Sequence, residues 1–241
     1  LVLSFTWTCS ELPTEDSHSS VPFLLKVSER IYTGGQPKTA GDFQELQALG
    51  IKTLVNVDGA RPDLSLAKSY DMSYVHIPMH YDTVEPIVLL SLQRVLQERP
   101  GPFYIHCHHG KHRGPAAAAL AWRMDEDVSS EEALSVLRRA GTSKNYPGLW
   151  REVEGYRSFP STVALPPLFE VAEVGGFTRL MAEIDRTWDH VKMLKSHNWQ
   201  GSSLHPDIQP QQELSIFRQQ FEDAEKLAKA NPAYSEDLDF M

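Results

Sequence analysis

The chain has 241 residues, 41 % of them apolar and 23 % charged, the make-up of an ordinary globular protein with one good core and room for a small appendage. A formal net charge of -9 argues against nucleic-acid binding, which needs a basic face to neutralise phosphates. The only two cysteines, Cys9 and Cys107, exclude a disulfide framework, and no apolar run is long enough for an integral membrane span.

In chain order, residues 1–21 read as an N-terminal tail or tether, because 10–20 is polar and poor in apolar side chains. Phe23 to Val27 and Arg30 to Thr33 read as strands, the second closed by Gly34-Gly35. A helix opened by Thr39 carries Phe43, Leu46 and Leu49 on one face and ends at Gly50. Ile51 to Val57 is a short β-branched strand, Asp63 to Tyr70 a helix, and Tyr74 to Pro78 the next strand. Ile87 to Gln97 is apolar around much of its circumference and predicts a mostly buried helix. After the Gly101-Pro102 turn, Phe103 to His106 is a buried strand that delivers Cys107. An Ala-rich helix runs from Arg113 to Met124, and another covers Ser130 to Ala140 with Ser129 or Ser130 as its cap.

Strands alternating with helices predict an α/β domain over 22–160, with a mostly parallel central sheet flanked by helices. Residues 161–241 read as a C-terminal helical hairpin. Its first helix sets Phe177, Leu180, Met181, Ile184, Trp188 and Val191 on one stripe, and its second sets Leu214, Phe217, Phe221 and Leu227. The connection from His197 to Pro210 is a loop, and Asp189, His190, His197 and His205 read as solvated polar groups of that extension.

The chemistry concentrates in His106-Cys107-His108-His109-Gly110-Lys111-His112-Arg113-Gly114. A cysteine closes a buried strand, a six-residue arc containing glycine follows, and a helix begins at the arginine. Such an arc wraps its N–H groups into an anion nest, to which the helix N-terminus adds positive potential. The same field stabilises a thiolate at Cys107, and Arg113 can fork onto two phosphate oxygens. His106 orients the loop. His108, His109, Gly110, Lys111, His112 and Gly114 form the phosphate-binding remainder, with the histidines and Lys111 supplying a positive rim. The His106/His108 and His109/His112 spacings suit a metal, but side chains on an arc diverge, so no metal is expected.

His-Cys-x5-Arg at a strand–helix junction resembles the signature of the cysteine-dependent dual-specificity and tyrosine phosphatase superfamily. Cys-x-x-Gly-Lys-His-Arg is most similar to the atypical dual-specificity phosphatases, and the likeness extends through Ile31-Tyr-Thr-Gly-Gly-Gln-Pro37 and Gly50 to Asn56. The resemblance implies that Cys107 attacks a phosphomonoester to give a cysteinyl-phosphate, which water then hydrolyses, with no cofactor. It also implies a carboxylic acid on the loop after the Tyr74 strand. Asp82 fits that place, with Glu85 as the alternative. Where the family carries Ser or Thr after the arginine, Gly114 stands here, so breakdown of the intermediate should be slowed.

The implied partner is a phosphorylated substrate: a phosphoprotein, a phosphoinositide or an inositol polyphosphate. Two other classes stay open, a phosphate-binding pseudophosphatase and a rhodanese-like sulfurtransferase. Leu1 to Cys9 resembles the end of a bacterial lipoprotein signal, implying an exported protein with a lipid anchor at Cys9; a truncated or disordered end on a cytoplasmic protein is the other reading.

Overall fold

The computed structural model describes residues 19–200 and 208–230. Cys9 and His205 lie outside the described residues. The strands are β1 (Leu25–Lys26), β2 (Ile31–Gly34), β3 (Thr53–Asn56), β4 (Ser73–His76) and β5 (Phe103–His106). They form one sheet in the order β1-β2-β5-β3-β4. The β2–β5, β5–β3 and β3–β4 pairs are parallel, and only the short edge strand β1 runs antiparallel.

Side chains alternate across these strands with a period of two, and both faces are buried. Leu54, Tyr74 and Tyr104 point to one core, filled by Phe43 and Leu46 of α1 (Ala40–Ala48) and by Ala67 of α2 (Leu64–Ser69). Val55, Val75, Phe103 and Ile105 point to the other. That face is covered by α3 (Pro86–Glu98), α4 (Arg113–Glu126), α5 (Ser130–Arg139) and α6 (Pro147–Gly155).

Helix α4 lies directly on β2 and β5, and its residues from Arg113 to Ala121 are all buried. A run of four alanines lets its backbone approach the sheet closely, which fixes its N-terminus just beyond the end of β5. The helix ends at Asp127, which adopts a left-handed conformation (φ 50°).

Two boundaries differ from the sequence expectation. The strand expected over Phe23 to Val27 shrinks to two residues, because Phe23 takes φ 55° and breaks the extended run. Helix α6 was not anticipated; Pro147 stands in its first turn, where proline is well suited.

At the C-terminus, α7 (Gly176–Ser196) and α8 (Pro210–Ala230) pack on each other through Leu180, Ile184 and Ala224. No helix among the described residues is long and apolar enough to cross a membrane.

Candidate active site

Three parallel strands end at one edge of the sheet, where open α/β folds collect ligands. β5 ends in the Cys107 arc, β3 runs on into Asp58, and the β4–α3 connection carries Met79 to Glu85. The arc is held from outside by its carbonyls. The His106 carbonyl accepts from the Val57 amide (2.9 Å), and that of His108 from the Gln36 amide (3.0 Å). The Lys111 carbonyl accepts from Thr142 Oγ1 at 2.6 Å. With these carbonyls turned outward, the amides of residues 108–112 donate to no backbone carbonyl of the described residues. Helix α4 adds its uncapped N-terminus, since no side chain caps it.

Two glycine contacts set the arc's position. Gly110 has φ +74°, and a Cβ there would lie 2.3 Å from the Gly34 carbonyl carbon, so only glycine fits against the Gly34-Gly35 pair. At Gly114 a Cβ would come 3.0 Å from the Cys107 amide nitrogen. Glycine at position 114 thus lets α4 start tight against the cysteine.

Cys107 is a buried free thiol at 3 % exposure. Arg113, at 8 % exposure, is clamped on three sides. Its Nη2 donates to Asp58 Oδ1 at 2.9 Å, its Nη1 reaches toward the Met79 carbonyl at 3.5 Å, and its guanidinium lies 4.3 Å above the Tyr81 ring. Its Nε is buried and has no hydrogen-bond partner among the described residues, so this N–H is one of the donors left for a ligand. Burial opposes the Asp58 charge, but Arg113 and Arg186 hold its carboxyl down at about 2. Asp58 therefore stays ionised and cannot serve as a proton donor at neutral pH.

His106 is buried against the Tyr74 hydroxyl (Nε2 to Oη 3.0 Å), and burial pushes its pKa down to about 4. The expected positive rim is not realised by the side chains. His108 Nε2 donates to Asp189 Oδ2 at 2.8 Å, and its pKa is lowered by burial and by Arg186, so it stands neutral. His109 lies between Asp185 (3.6 Å) and Asp189 (3.5 Å). His112 accepts from the Ser143 amide and sits against Tyr81 and Tyr146, its pKa lowered chiefly by burial. Lys111 turns outward onto the Phe23 ring, 4.3 Å from its centroid. What these four residues present to an anion is backbone N–H.

Helix α7 is a part of this site that sequence reasoning missed. Arg186 binds Asp58 Oδ2 at 2.9 Å and Gln36 at 2.8 Å. Asp189, read above as a solvated group, is instead the acceptor for His108, and Lys192 and His108 hold its carboxyl down at about 2 despite partial burial. His190 pairs with Glu213 of α8 at 3.0 Å, and His197 bonds back to the Met193 carbonyl. Asp58 was also overlooked; its place at the end of a predicted parallel strand was the available signal, whereas the nearby Asp63 caps α2.

A cleft of about 680 Å³ opens between these parts. Asp58, Met79, His80, Tyr81 and Arg113 form one side, and Phe177, Met181, Asp185, Trp188, Phe217 and Phe221 are on the other. Asp82 and Glu85 are exposed and do not line it, although both belong to the loop that supplies Met79 to Tyr81. Glu85 precedes α3 without a side-chain cap bond, and the Asp82 carbonyl accepts from Arg151 at 3.2 Å. His108, His109 and Asp189 bring one donor atom each within 4.8 Å of one another.

No family model matches the chain. It is 33 % identical over 122 residues to the dual specificity protein phosphatase TpbA of Pseudomonas aeruginosa (strain UCBPP-PA14), a match covering 49 % of this chain and 54 % of the relative. The chain thus spans about half the length of the curated relatives it matches. A structure of a cysteine-to-serine variant of P. aeruginosa TpbA in complex with phosphotyrosine superposes with a TM-score of 0.50 at 26 % identity. That superposition covers 58 % of this chain and 88 % of the other. The core catalytic domain of the inositol pyrophosphate phosphatase SIW14 from S. cerevisiae gives a TM-score of 0.49 at 21 % identity, covering 57 % of this chain and 87 % of that one. Over the region shared with TpbA, about half of its length, the chain is similar to the cysteine-dependent phosphatases at the level of the atypical dual-specificity enzymes.

Proposed function

We propose that the chain is a phosphomonoesterase working through a cysteinyl-phosphate. The observation that carries this reading is the arc from Cys107 to Arg113, with its carbonyls engaged outward and the Arg113 Nε unpartnered beside a buried thiol. In the first step the Cys107 sulfur bonds to phosphorus while the ester P–O bond breaks, and an acid gives its proton to the departing oxygen. In the second, water attacks phosphorus, the S–P bond breaks, and the same group, now a base, takes the water proton. The nest amides and Arg113 carry the charge of the equatorial oxygens throughout.

For the acid we infer Asp82, on the loop that also carries Met79 to Tyr81. Asp185 is a second reading, favoured because it lines the cleft. Residues 22–160 would then be the catalytic unit and 161–241 an extension that completes its rim. The phosphotyrosine bound to the TpbA variant supports a phosphorylated substrate here.

The test is hydrolysis of para-nitrophenyl phosphate by the wild type, Cys107→Ser, Asp82→Asn and Asp185→Asn, with vanadate as inhibitor. Activity that is lost in Cys107→Ser and blocked by vanadate is expected. A folded wild type that binds vanadate but turns nothing over would instead identify a pseudophosphatase, and cyanide-dependent consumption of thiosulfate would identify a sulfurtransferase. On an alkyl phosphate, whose leaving oxygen needs the proton, the true acid is the one whose removal costs on the order of 100-fold or more.

A further inference from the structure

The cleft beside Arg113 has two chemically different halves. At the phosphate end stands the guanidinium of Arg113, the last residue of the arc; Cys107 and residues 108–112 are not among the lining residues. The hairpin end is built from Phe177, Met181, Trp188, Phe217 and Phe221. Met181, Trp188 and Phe221 remain 42 %, 45 % and 47 % exposed, a concentration of bare apolar surface that a folded chain rarely leaves without use. The rings present flat faces: Trp188 stacks on Phe217 at 5.6 Å and 17°, and Phe221 meets Phe217 edge-on at 5.0 Å.

Charge in the cleft points the same way. Arg113 is the single Lys or Arg among the lining residues, and it is already paired with the ionised Asp58. Asp185 supplies a second carboxyl on the opposite side. An inositol polyphosphate would have to set its further phosphates against two carboxyl groups and an aromatic wall, with His80 but no further Lys or Arg among the described lining residues to receive them. One phosphate on a large uncharged body meets neither penalty. At about 680 Å³ the cleft has the size of a drug-sized ligand site rather than of one small ring.

Resting on the phosphatase reading, we propose that the α7–α8 pair forms the leaving-group half of the site, and that the substrate is a monophosphate ester of a phenol larger than one ring. Phosphate enters the nest at Arg113 while the aryl body lies on Trp188, Phe221 and Met181.

The experiment compares kcat/KM of the full chain for phenyl, 2-naphthyl and 4-biphenylyl phosphate, whose phenols leave with similar ease, together with a short-chain lysophosphatidic acid and inositol hexakisphosphate. A rise of about tenfold or more from phenyl to biphenylyl, carried by KM, is expected from the added apolar contact. Trp188→Ala with Phe221→Ala flattens the series, and Met181→Gln, at an exposed position that folding tolerates, reduces it. A flat series in an enzyme that does hydrolyse phenyl phosphate overturns the inference and leaves the phosphatase reading standing. Preference for inositol hexakisphosphate or for the lysophosphatidic acid also overturns it. If no ester is turned over, the phosphatase reading fails and calorimetric binding to Cys107→Ser decides the cleft. Biphenylyl phosphate binding tenfold tighter than phenyl phosphate supports the aryl wall, and equal binding removes it.

Discussion

Asp58 Oδ1 stands 2.9 Å from Arg113 Nη2, so the guanidinium that faces the nest is fixed by a carboxylate from the neighbouring strand end. The other oxygen of Asp58 holds Arg186 of α7 at 2.9 Å, which makes one buried carboxylate the joint between the arc and the C-terminal helices. Asp58→Asn leaves two guanidinium groups without their counter-charge and should cost about 3 kcal/mol of stability. The folded carboxyl sits at about 2 against an ordinary 3.8, so its stabilisation is fully present above about pH 4 and is lost as pH falls through about 2. Denaturant midpoints should therefore show a gap between wild type and variant that is widest near neutrality and closes in acid. A constant gap across that window would rule out the ion pair as its source.

Gly110→Ala tests the geometry of the arc. The substitution asks alanine to hold φ +74° and to place a methyl 2.3 Å from the Gly34 carbonyl carbon, which the backbone can relieve only by moving the arc. Phosphatase activity should fall by at least about 100-fold from a displacement of roughly 1 Å, with stability lower by about 2 kcal/mol. Full activity in this variant would show that the arc does not need its present path.

Burial also sets a pH dependence on the weakly acidic side. His106 is fully enclosed beside Tyr74, and its pKa is pushed down from 6.5 to about 4. A base whose folded pKa is depressed stabilises the fold above its unfolded pKa, and that contribution drains away as pH falls from about 6.5 to about 4. The loss should be on the order of 3 kcal/mol from this residue. His106→Gln should flatten that slope in denaturation curves taken across the same range. His76, His108 and His112 are shifted in the same direction, so some slope will remain.

The central sheet was legible in the sequence because its signals are local. Val55, Val75 and Ile105 mark strands, and Cys107, Gly110 and Arg113 mark the arc by their spacing between a buried strand and the start of a helix. The rest depended on contacts between distant residues. His108 and Asp189 are 81 positions apart, and nothing in the polar pattern of α7 distinguishes Asp189 from a solvated group until the helix is placed over the arc. For the same reason the rim read as positive: four basic side chains are visible in the sequence, while the acids that meet two of them lie in another element. The aromatic stripe of α7 was legible as apolar, but not that Trp188 and Met181 face a cleft instead of a core.

If Asp189 anchors α7 to the arc, Asp189→Ala should loosen that helix selectively. It removes the acceptor of the His108 Nε2–H and the partner of Lys192 Nζ at 2.6 Å, a net loss of about 1 kcal/mol at a partly exposed position. Amide hydrogen exchange should accelerate along α7 and α8 and stay unchanged in β5 and α4. Uniform acceleration would mean a global loss of stability, and unchanged exchange in α7 would remove Asp189 as the anchor.

On the proposed cysteinyl-phosphate mechanism, Gly114 bears on which chemical step is slow. A hydroxyl at this position would donate to the cysteine sulfur as the S–P bond breaks, and no such donor exists on a glycine. The backbone packs closely in consequence, with only 3.0 Å between an added Cβ and the Cys107 amide nitrogen. Phosphorylation of Cys107 does not use that donor, so the first step should run at its ordinary rate while the second slows by about 10- to 100-fold. Rapid mixing with para-nitrophenyl phosphate should then give a burst of nitrophenol close to one equivalent of enzyme, followed by a slow steady state. Acid quenching within the slow phase should recover phosphate covalently on Cys107. Gly114→Ser tests the same point from the other side: it supplies the hydroxyl but must push α4 away from the arc by a few tenths of an ångström. A smaller burst with a faster steady state in Gly114→Ser would assign the slow step to the missing donor. A wild type without a burst would place the slow step before the intermediate, and the glycine would then serve packing alone.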